Sequence, residues 1–245
     1  MKPFKARGIV LRENPAGESD KYVDLLLKGI GKISVSARGA RKSTSKFLAG
    51  TQAFTYADFV IYDGGKFFTM SQIDIIDGFY GLRSDYDKLC YGNYFLELYC
   101  KVIIPGEECD DMLLLLIKTL SALRSGKVRP ELSARVFELK FLKFNGYFPE
   151  LKICAVCAGP LKEDVFFFSD GCICHACAEK YSDSFRASPG FIQALNYIEC
   201  ADYTNMFSFE AGQGTLERLK RAFEVIFNAH INVKIKSREF LVTYS

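Results

Sequence analysis

The sequence predicts an α+β protein in which a small β-barrel precedes an α-helical domain with a cysteine-rich insertion. Apolar and polar residues alternate through much of the first 80 residues, and apolar residues recur at helical spacing from residue 85 onward. Two C-x-x-C pairs stand within the helical part. We therefore expect a barrel domain over residues 1–80 and a helical domain over 81–245, with the insertion at about 151–180.

Five strands are predicted in the barrel domain. They cover residues 4–12, 20–28, 32–38, 54–62 and 67–76. The last two are joined by Asp63-Gly64-Gly65, which is typical of a tight hairpin. Five short strands with one long loop after the third favour an oligonucleotide/oligosaccharide-binding (OB) barrel, and an SH3-like barrel fits the strand count nearly as well.

Positive charge is concentrated in this barrel domain. Lys and Arg outnumber Asp and Glu by 12 to 8 over residues 1–80, whereas the counts are 10 to 10 over 81–150 and 10 to 11 over 151–245. Residues 28–46 hold six basic residues and no acidic one. Residues 39–46, which follow the third strand, are predicted to form a long loop, and we call residues 38–46 the basic loop.

Two interpretations of the basic loop remain open from charge alone. A polyanion is a natural partner, because each neutralised phosphate releases condensed counterions. The alternative is a solvated loop that keeps the protein soluble. Aromatic residues in the barrel domain are expected mostly in its core, with Tyr22 and Phe47 as the two candidate platforms for base stacking.

The helical domain is predicted to contain five helices. They cover residues 85–104, 107–124, 130–146, 189–200 and 215–231. Ser188 is expected to cap the fourth, ahead of Pro189 at its first position. The acidic residues 107–111 are expected to stabilise the start of the second helix and not to bind a metal.

Nine cysteines and the absence of a secretory signal predict a cytoplasmic protein, in which thiols bind metals or lie in the core. The longest aliphatic run, residues 112–117, is far shorter than the roughly 20 residues that cross a bilayer. We therefore expect no membrane partner.

The cysteine pairs predict a metal site. Cys154 and Cys157 form the first pair and Cys174 and Cys177 the second, with 16 residues between the pairs, as in a four-thiolate zinc ribbon. A redox pair, disulfides, and a ligand role for Cys172 or His175 are weaker alternatives. Because four thiolates leave no open coordination position, one structural Zn²⁺ per chain is expected, and so small a lobe should depend on it to fold.

Enzymatic function is not expected. The chain has only two histidines and lacks a Walker phosphate loop, an H-E-x-x-H motif and a G-x-S-x-G motif. A zinc-ribbon transcription regulator that binds duplex DNA is the alternative function.

Several stretches in this order resemble the RecO family of bacterial DNA-repair proteins. They are ARGIVLRENPAGESDKYVDLL, GKISVSARGARKSTS, FTYADFVIY, the two cysteine pairs with Ser169-Asp170-Gly171 before the second, and KSREFL near the end. The resemblance covers nearly the whole chain. Thr51-Gln52-Ala53-Phe54 departs from a Leu-x-Pro-Phe turn, and Cys172 is an additional thiol.

The resemblance implies a non-enzymatic recombination mediator. Such proteins bind single- and double-stranded DNA, anneal complementary strands, associate with RecR, bind the acidic C-terminal tail of single-strand-binding protein, and help RecA onto DNA coated with it. A nucleoid-associated location follows. The residues implied for DNA binding here are Lys32, Arg38, Arg41, Lys42 and Lys46, flanked by Arg12 and Lys21. The tail is expected on the third helix, near Arg135, Lys140 and Lys143.

Overall fold

A computed structural model describes residues 2–241 of the chain. None of the helices in that range is long and apolar enough to cross a membrane. The contacts divide the chain into two units. Unit 1 contains the residues up to Arg124 and those from Ile235 onward, and unit 2 is Ser125–Lys234.

Unit 1 begins with five strands that close into a barrel. β1 (Pro3–Ala16) pairs antiparallel with β2 (Asp20–Leu27), which pairs antiparallel with β3 (Gly31–Ala37). β4 (Tyr56–Asp63) pairs antiparallel with β1 and with β5 (Phe68–Asp77), and a short parallel contact between β3 and β5 closes the barrel. The order β1-β2-β3-β5-β4 is that of an OB barrel, so the predicted fold class is confirmed.

The strand pattern arises from alternation of apolar and polar residues. In β3, Ile33, Val35 and Ala37 are buried in the barrel core, whereas Ser34 on the other face is exposed. Each large apolar side chain that is buried stabilises the fold by roughly 1.5–3 kcal/mol. One face of the strand therefore holds the barrel together and the other is available to solvent.

The loop after β3 packs against the barrel instead of extending into solvent. Phe47 is only 8% exposed and belongs to the barrel core. Its carbonyl oxygen accepts hydrogen bonds from the backbone N–H and the hydroxyl of Thr51, at 3.0 and 2.8 Å. The prediction that Phe47 is a base-stacking platform is therefore wrong, because the ring anchors the loop instead.

Two helices follow the barrel in unit 1. α1 (Tyr86–Val102) begins after Asp85, whose side chain accepts a hydrogen bond from the backbone N–H of Lys88. α2 (Asp110–Ser125) has Asp110 in its first turn, where the helix dipole favours an acid. The Asp110 carboxylate also accepts the backbone N–H of Gly29 at 2.7 Å, so it joins the helix to the β2–β3 turn.

The end of the described chain returns to unit 1. A 3₁₀ helix over Lys236–Phe240 packs against α1. This segment carries the KSREFL motif, whose Lys236 and Ser237 donate backbone hydrogen bonds to Glu97 of α1. The motif therefore has a structural role inside unit 1.

Unit 2 begins with α3 (Pro130–Phe144), and a small cysteine-rich lobe follows. The lobe contains a three-stranded sheet in the order β7-β6-β8, formed by β6 (Phe166–Phe168), β7 (Gly171–Ile173) and β8 (Phe185–Arg186). A single turn of helix, α4 (His175–Ala178), follows β7. The predicted cysteine-rich insertion is thus a separate small sheet.

Two longer helices complete unit 2, and both pack against α3. α5 (Pro189–Cys200) starts at Ser188, whose hydroxyl accepts the backbone N–H of Phe191, as predicted from the sequence. α6 (Gln213–His230) buries an apolar face. These helices enclose a core in which α3 is buried along most of its length.

Burial of most of α3 contradicts the expectation that Arg135 and Lys140 bind an acidic tail. Arg135 and Lys140 are each 5% exposed. Arg135 pairs with Glu138 at 3.0 Å, and the ammonium of Lys140 donates to the carbonyl oxygens of Glu199 and Ala201. Arg135 and Lys140 neutralise or hydrogen-bond groups inside unit 2, so the prediction is wrong for these two residues. Lys143 is exposed, and its ammonium donates to the carbonyl oxygen of Glu199 at 2.7 Å.

Candidate nucleic-acid interface and candidate metal centre

The basic loop is fixed at its base by contacts with the β1–β2 turn. The Asp20 carboxylate accepts the backbone N–H of Gly39 at 2.7 Å, and this bond lowers the pKa of Asp20. The backbone N–H of Arg41 donates to the carbonyl of Ser19 at 2.8 Å, and its guanidinium donates to the carbonyl of Gly17 at 2.9 Å. The loop is therefore held against the barrel at a defined place.

Four of the predicted DNA-binding cations lie together on this loop. Arg38, Arg41, Lys42 and Lys46 are all exposed. Within residues 2–241, no carboxylate lies within 4.0 Å of any of the four. Their charges are therefore not cancelled by a direct ion pair, which leaves them available to an external anion.

Lys32 occupies a more enclosed position on the outer face of β3. Its ammonium donates to the carbonyl oxygen of Cys100 at 2.7 Å, and burial lowers its pKa. One of its three donors is thus used inside the protein. Lys32 contributes positive charge to the barrel wall with restricted freedom to move.

Arg12 and Lys21 are paired with acidic groups of the chain. The guanidinium of Arg12 donates twice to one carboxylate oxygen of Asp24, at 3.0 and 2.7 Å. The ammonium of Lys21 contacts the carboxylate of Glu13, and its side chain is only 13% exposed. These two residues add less net positive charge to the surface than the four loop cations do.

A groove of about 810 Å³ lies on the outer side of the barrel, beside the basic loop. We call it the barrel groove. The charged residues that line it within the described chain are all cationic. Residues from β2, β3 and the β4–β5 turn contribute to its wall, among them Tyr22, Lys32, Ser36, Arg38, Lys66 and Phe67.

Lys66 and Phe67 were not predicted as functional residues. Phe67 was expected in the core, but it is 65% exposed. The ammonium of Lys66 lies 5.9 Å from the centre of the Phe67 ring. Both residues follow the hairpin sequence Asp63-Gly64-Gly65, which puts them at the start of a predicted strand. Residues at a strand end next to a turn are often exposed, and this was the one indication in the sequence that they reach the surface.

The four predicted metal-binding cysteines converge in unit 2. The sulfurs of Cys154, Cys157, Cys174 and Cys177 all lie within 4.8 Å of one another, and those of Cys157 and Cys174 are 3.9 Å apart. Four thiolates at 2.3 Å from a tetrahedral zinc ion are roughly 3.8 Å apart. The donor set and its spacing therefore fit a four-thiolate metal site.

Backbone N–H groups prepare the sulfur of Cys154 for a cation, whereas hydrogen bonds with the neighbouring thiols raise the pKa of Cys177. Burial would raise the pKa of the Cys154 thiol, but backbone N–H groups of Cys157, Cys174 and Val156 outweigh it and lower this pKa to about 6. The N–H of Cys174 is 3.4 Å from the sulfur of Cys154. Stabilised thiolate is the form that binds metals. Cys172 is different, because burial raises the pKa of its thiol to about 11 and its sulfur is outside the cluster.

Glycine is required at position 171, because the backbone there lies directly against the backbone of Glu150. The φ of Gly171 is +140°, and a Cβ added there would lie 2.1 Å from the carbonyl oxygen of Glu150. That carbonyl accepts the backbone N–H of Cys172 at 2.7 Å. Only glycine permits this approach, which explains the glycine of Ser169-Asp170-Gly171.

The apolar core around the cysteines is small. Cys154, Ile173 and Cys177 form its buried centre, with partly buried apolar residues packed around them. A core of this size gives little hydrophobic stabilisation, so the lobe needs an additional cross-link. The cysteine cluster is in the position to provide one through a metal ion.

Comparisons with known proteins indicate one family over nearly the whole chain. Residues 1–79 match the model of the recombination protein O N-terminal domain, and residues 83–239 match that of the recombination protein O C-terminal domain. Proteins named DNA repair protein RecO are similar over most of their length. The one from Acetivibrio thermocellus is 30% identical over 99% of this chain and 98% of its own.

Two further relatives with this name show the same similarity. The Alkaliphilus metalliredigens protein is 32% identical over 94% of both chains. The Clostridium acetobutylicum protein is 33% identical over 81% of this chain and 80% of its own. With both domain models matched in order and such coverage, the chain belongs to the RecO family of recombination proteins.

Proposed function

We propose that this protein is a non-enzymatic, DNA-binding mediator of DNA repair and recombination. The observation that carries the proposal is the group of four exposed cations on the basic loop, without carboxylate partners in the described chain, beside a groove with cationic walls. Family membership gives this surface its context.

DNA backbones are the ligand that this surface fits. Flexible, exposed Lys and Arg side chains bind phosphates in either single or double strands, and counterion release makes the binding independent of base sequence. Arg38, Arg41, Lys42 and Lys46 are the principal contacts, and Lys32 adds charge at the groove. We assign Arg12 and Lys21 to the edge of the interface, because their carboxylate partners weaken their contribution.

Strand annealing follows from the same electrostatics. Two complementary strands repel each other through their phosphates, and a cationic surface that binds both lowers this barrier. The reaction forms no covalent intermediate and therefore requires no catalytic residue. A protein of this kind acts on the nucleoid in the cytoplasm.

We assign a structural Zn²⁺ to Cys154, Cys157, Cys174 and Cys177, one ion per chain. Four thiolates fill the tetrahedral coordination of zinc and leave no position for a substrate. The ion would join the two C-x-x-C turns and thereby supply the stability that the small core lacks.

The protein partners we propose are RecR, single-strand-binding protein and, indirectly, RecA. Family membership supports all three. A groove of about 850 Å³ in unit 2 suits the acidic, apolar C-terminal tail of single-strand-binding protein, because cations and aromatic rings line it together. We call it the unit 2 groove, and its lining includes Lys127, Arg129, Leu132, Phe207, Phe209 and Glu210.

Annealing of oligonucleotides coated with single-strand-binding protein tests the proposal. Four phosphate contacts predict a log–log salt slope of roughly −3 for single strands. Reversal of Arg38, Arg41 and Lys42 to Glu should flatten the slope by about 2 and abolish annealing. Salt-insensitive binding, or annealing that survives this reversal, would contradict the proposal.

A charge-matched control separates the loop from net charge. Lys118, Lys162 and Lys234 are exposed and lie outside both the basic loop and the barrel groove. Their combined reversal to Glu changes the net charge equally and should leave annealing intact. Discrimination among unrelated duplex sequences would instead indicate a zinc-ribbon transcription regulator.

A further inference from the structure

Two exposed aromatic rings line the barrel groove. Phe67 is 65% exposed and Tyr22 is 49% exposed, although phenylalanine is among the residues most often buried. Phe68, the next residue, packs against the barrel core. Both phenylalanines line the groove, but Phe68 is partly buried against the core whereas Phe67 stands open to solvent.

Small hydroxyl residues of β3 and β5 also line the groove. Tyr22 of β2 is paired with Ser36 of β3, and Ser36 is paired with Thr69 of β5. Two strand spacings place the backbones of Tyr22 and Thr69 roughly 10 Å apart. Both rings are exposed in one groove of about 810 Å³ that short side chains also line, so a planar group has room to lie against either ring.

The charges around these rings specify an anionic occupant. Lys66, Arg38 and Lys32 line the groove, and no acidic residue of the described chain does so. The ammonium of Lys66 lies 5.9 Å from the centre of the Phe67 ring. An occupant with both phosphates and accessible flat faces fits this combination. An unpaired nucleic-acid strand has both, whereas a duplex keeps its base faces stacked inside.

We propose that Phe67 and Tyr22 form a base-stacking platform selective for single strands. This inference rests on the proposed function and divides it between two surfaces. The basic loop binds phosphates of either strand form, and the groove binds bases while they are unpaired. Pairing removes the base faces from the rings, so the annealed product loses the groove contact and leaves more readily than its precursors.

Substitution of the rings tests this division of labour. Loss of one stacked base should weaken binding of a thymidine oligonucleotide by about 5- to 150-fold in Phe67→Ala, and similarly in Tyr22→Ala. Affinity for a blunt duplex should stay unchanged. Tyr86→Ala is the matched control, because Tyr86 is 66% exposed and lies outside the groove. It should bind both ligands like the wild type.

A fluorescent substitution gives a second readout without removing the ring. The chain contains no tryptophan, so Phe67→Trp introduces a single reporter. Its emission should change on addition of single-stranded DNA and not on addition of duplex. Wild-type binding of both ligands together with unaltered single-strand affinity in Phe67→Ala would overturn the platform alone. A wild-type protein that binds neither ligand would overturn the proposed function itself.

Discussion

The backbone N–H of Ser237 donates a hydrogen bond to the carboxylate of Glu97 at 2.7 Å, across 140 positions of the chain. The N–H of Lys236 donates to the same carboxylate at 3.1 Å. Burial would raise the pKa of Glu97, but the hydroxyl of Ser237, these two backbone bonds and the ammonium of Lys101 outweigh it and lower that pKa to about 2. One ionised side chain therefore holds the C-terminal segment on α1.

Glu97→Gln should destabilise the protein in a pH-dependent way. The pKa in the folded state is below the usual value near 4.5, so this carboxylate contributes stability above pH 4.5 and loses it as the pH falls toward 2. The contribution at neutral pH is roughly 1–3 kcal/mol. Urea unfolding at several pH values measures it. The difference between wild type and Glu97→Gln should shrink at low pH.

Glu18→Gln is the control for this effect. Glu18 is exposed in the β1–β2 turn, away from any helix end, and its removal should leave the free energy of unfolding unchanged at every pH. A constant difference between wild type and Glu97→Gln from pH 7 to pH 3 would show that the charge of Glu97 does not fasten the segment.

Local patterns predicted much of this fold, because strands, caps and cysteine turns are short-range features. Alternation located β1 to β5, and Ser188 marked the start of α5. The contact between Glu97 and Ser237 had no local signal. That contact forms because the segment over residues 236–240 packs against α1, and tertiary packing of this kind leaves no trace in the local sequence.

The candidate interface was predicted less completely, because charge and exposure depend on neighbours in space. A register shift between Val10 and Arg12 places Arg12 opposite Asp24, and no sequence pattern announced this bulge. Phe47 was expected to be exposed and is buried, because the basic loop folds back onto the barrel. Phe67 was expected in the core and is exposed, because it lies at the end of the hairpin.

Removal of the metal should unfold the cysteine-rich lobe. The protein as purified should contain one zinc per chain, and Cys154→Ser should lack it. Metal binding in such sites is worth on the order of 10 kcal/mol, far more than the small lobe core supplies. Limited proteolysis should then cut within residues 151–180 in Cys154→Ser and in chelator-treated wild type.

Cys172→Ala is the matched control for the metal ligands. Cys172 is buried near the cluster, but its sulfur is not among the four that converge. The variant should retain one zinc and resist proteolysis. Zinc-free wild-type protein with normal resistance would reject the structural role of the metal.

Two substitutions of Asp20 should separate the effect of its charge on DNA affinity from the effect of its hydrogen bond to the basic loop. Asp20→Asn keeps an oxygen that can accept the Gly39 N–H and removes a negative charge near Arg38 and Lys42, so binding at low salt should become severalfold tighter. Asp20→Ala also removes the bond that fixes the basic loop, and binding should become weaker than in Asp20→Asn. Equal affinities of the two variants would show that loop fixation does not matter.

The unit 2 groove should lose affinity for an acidic tail when its charge is reversed. Arg129 donates to the carbonyl of Ala211 and so fixes the groove wall, whereas Lys127 is exposed and its reversal spares that contact. Lys127→Glu should weaken binding of the tail peptide of single-strand-binding protein by about tenfold, because it puts a carboxylate next to the acidic tail. Fluorescence anisotropy measures this affinity.

Lys162→Glu is the control, because Lys162 is exposed and lies outside the groove, and it should bind the peptide like the wild type. Since the basic loop is untouched, both variants should bind naked DNA normally. Equal peptide affinity in the two variants would place the tail elsewhere.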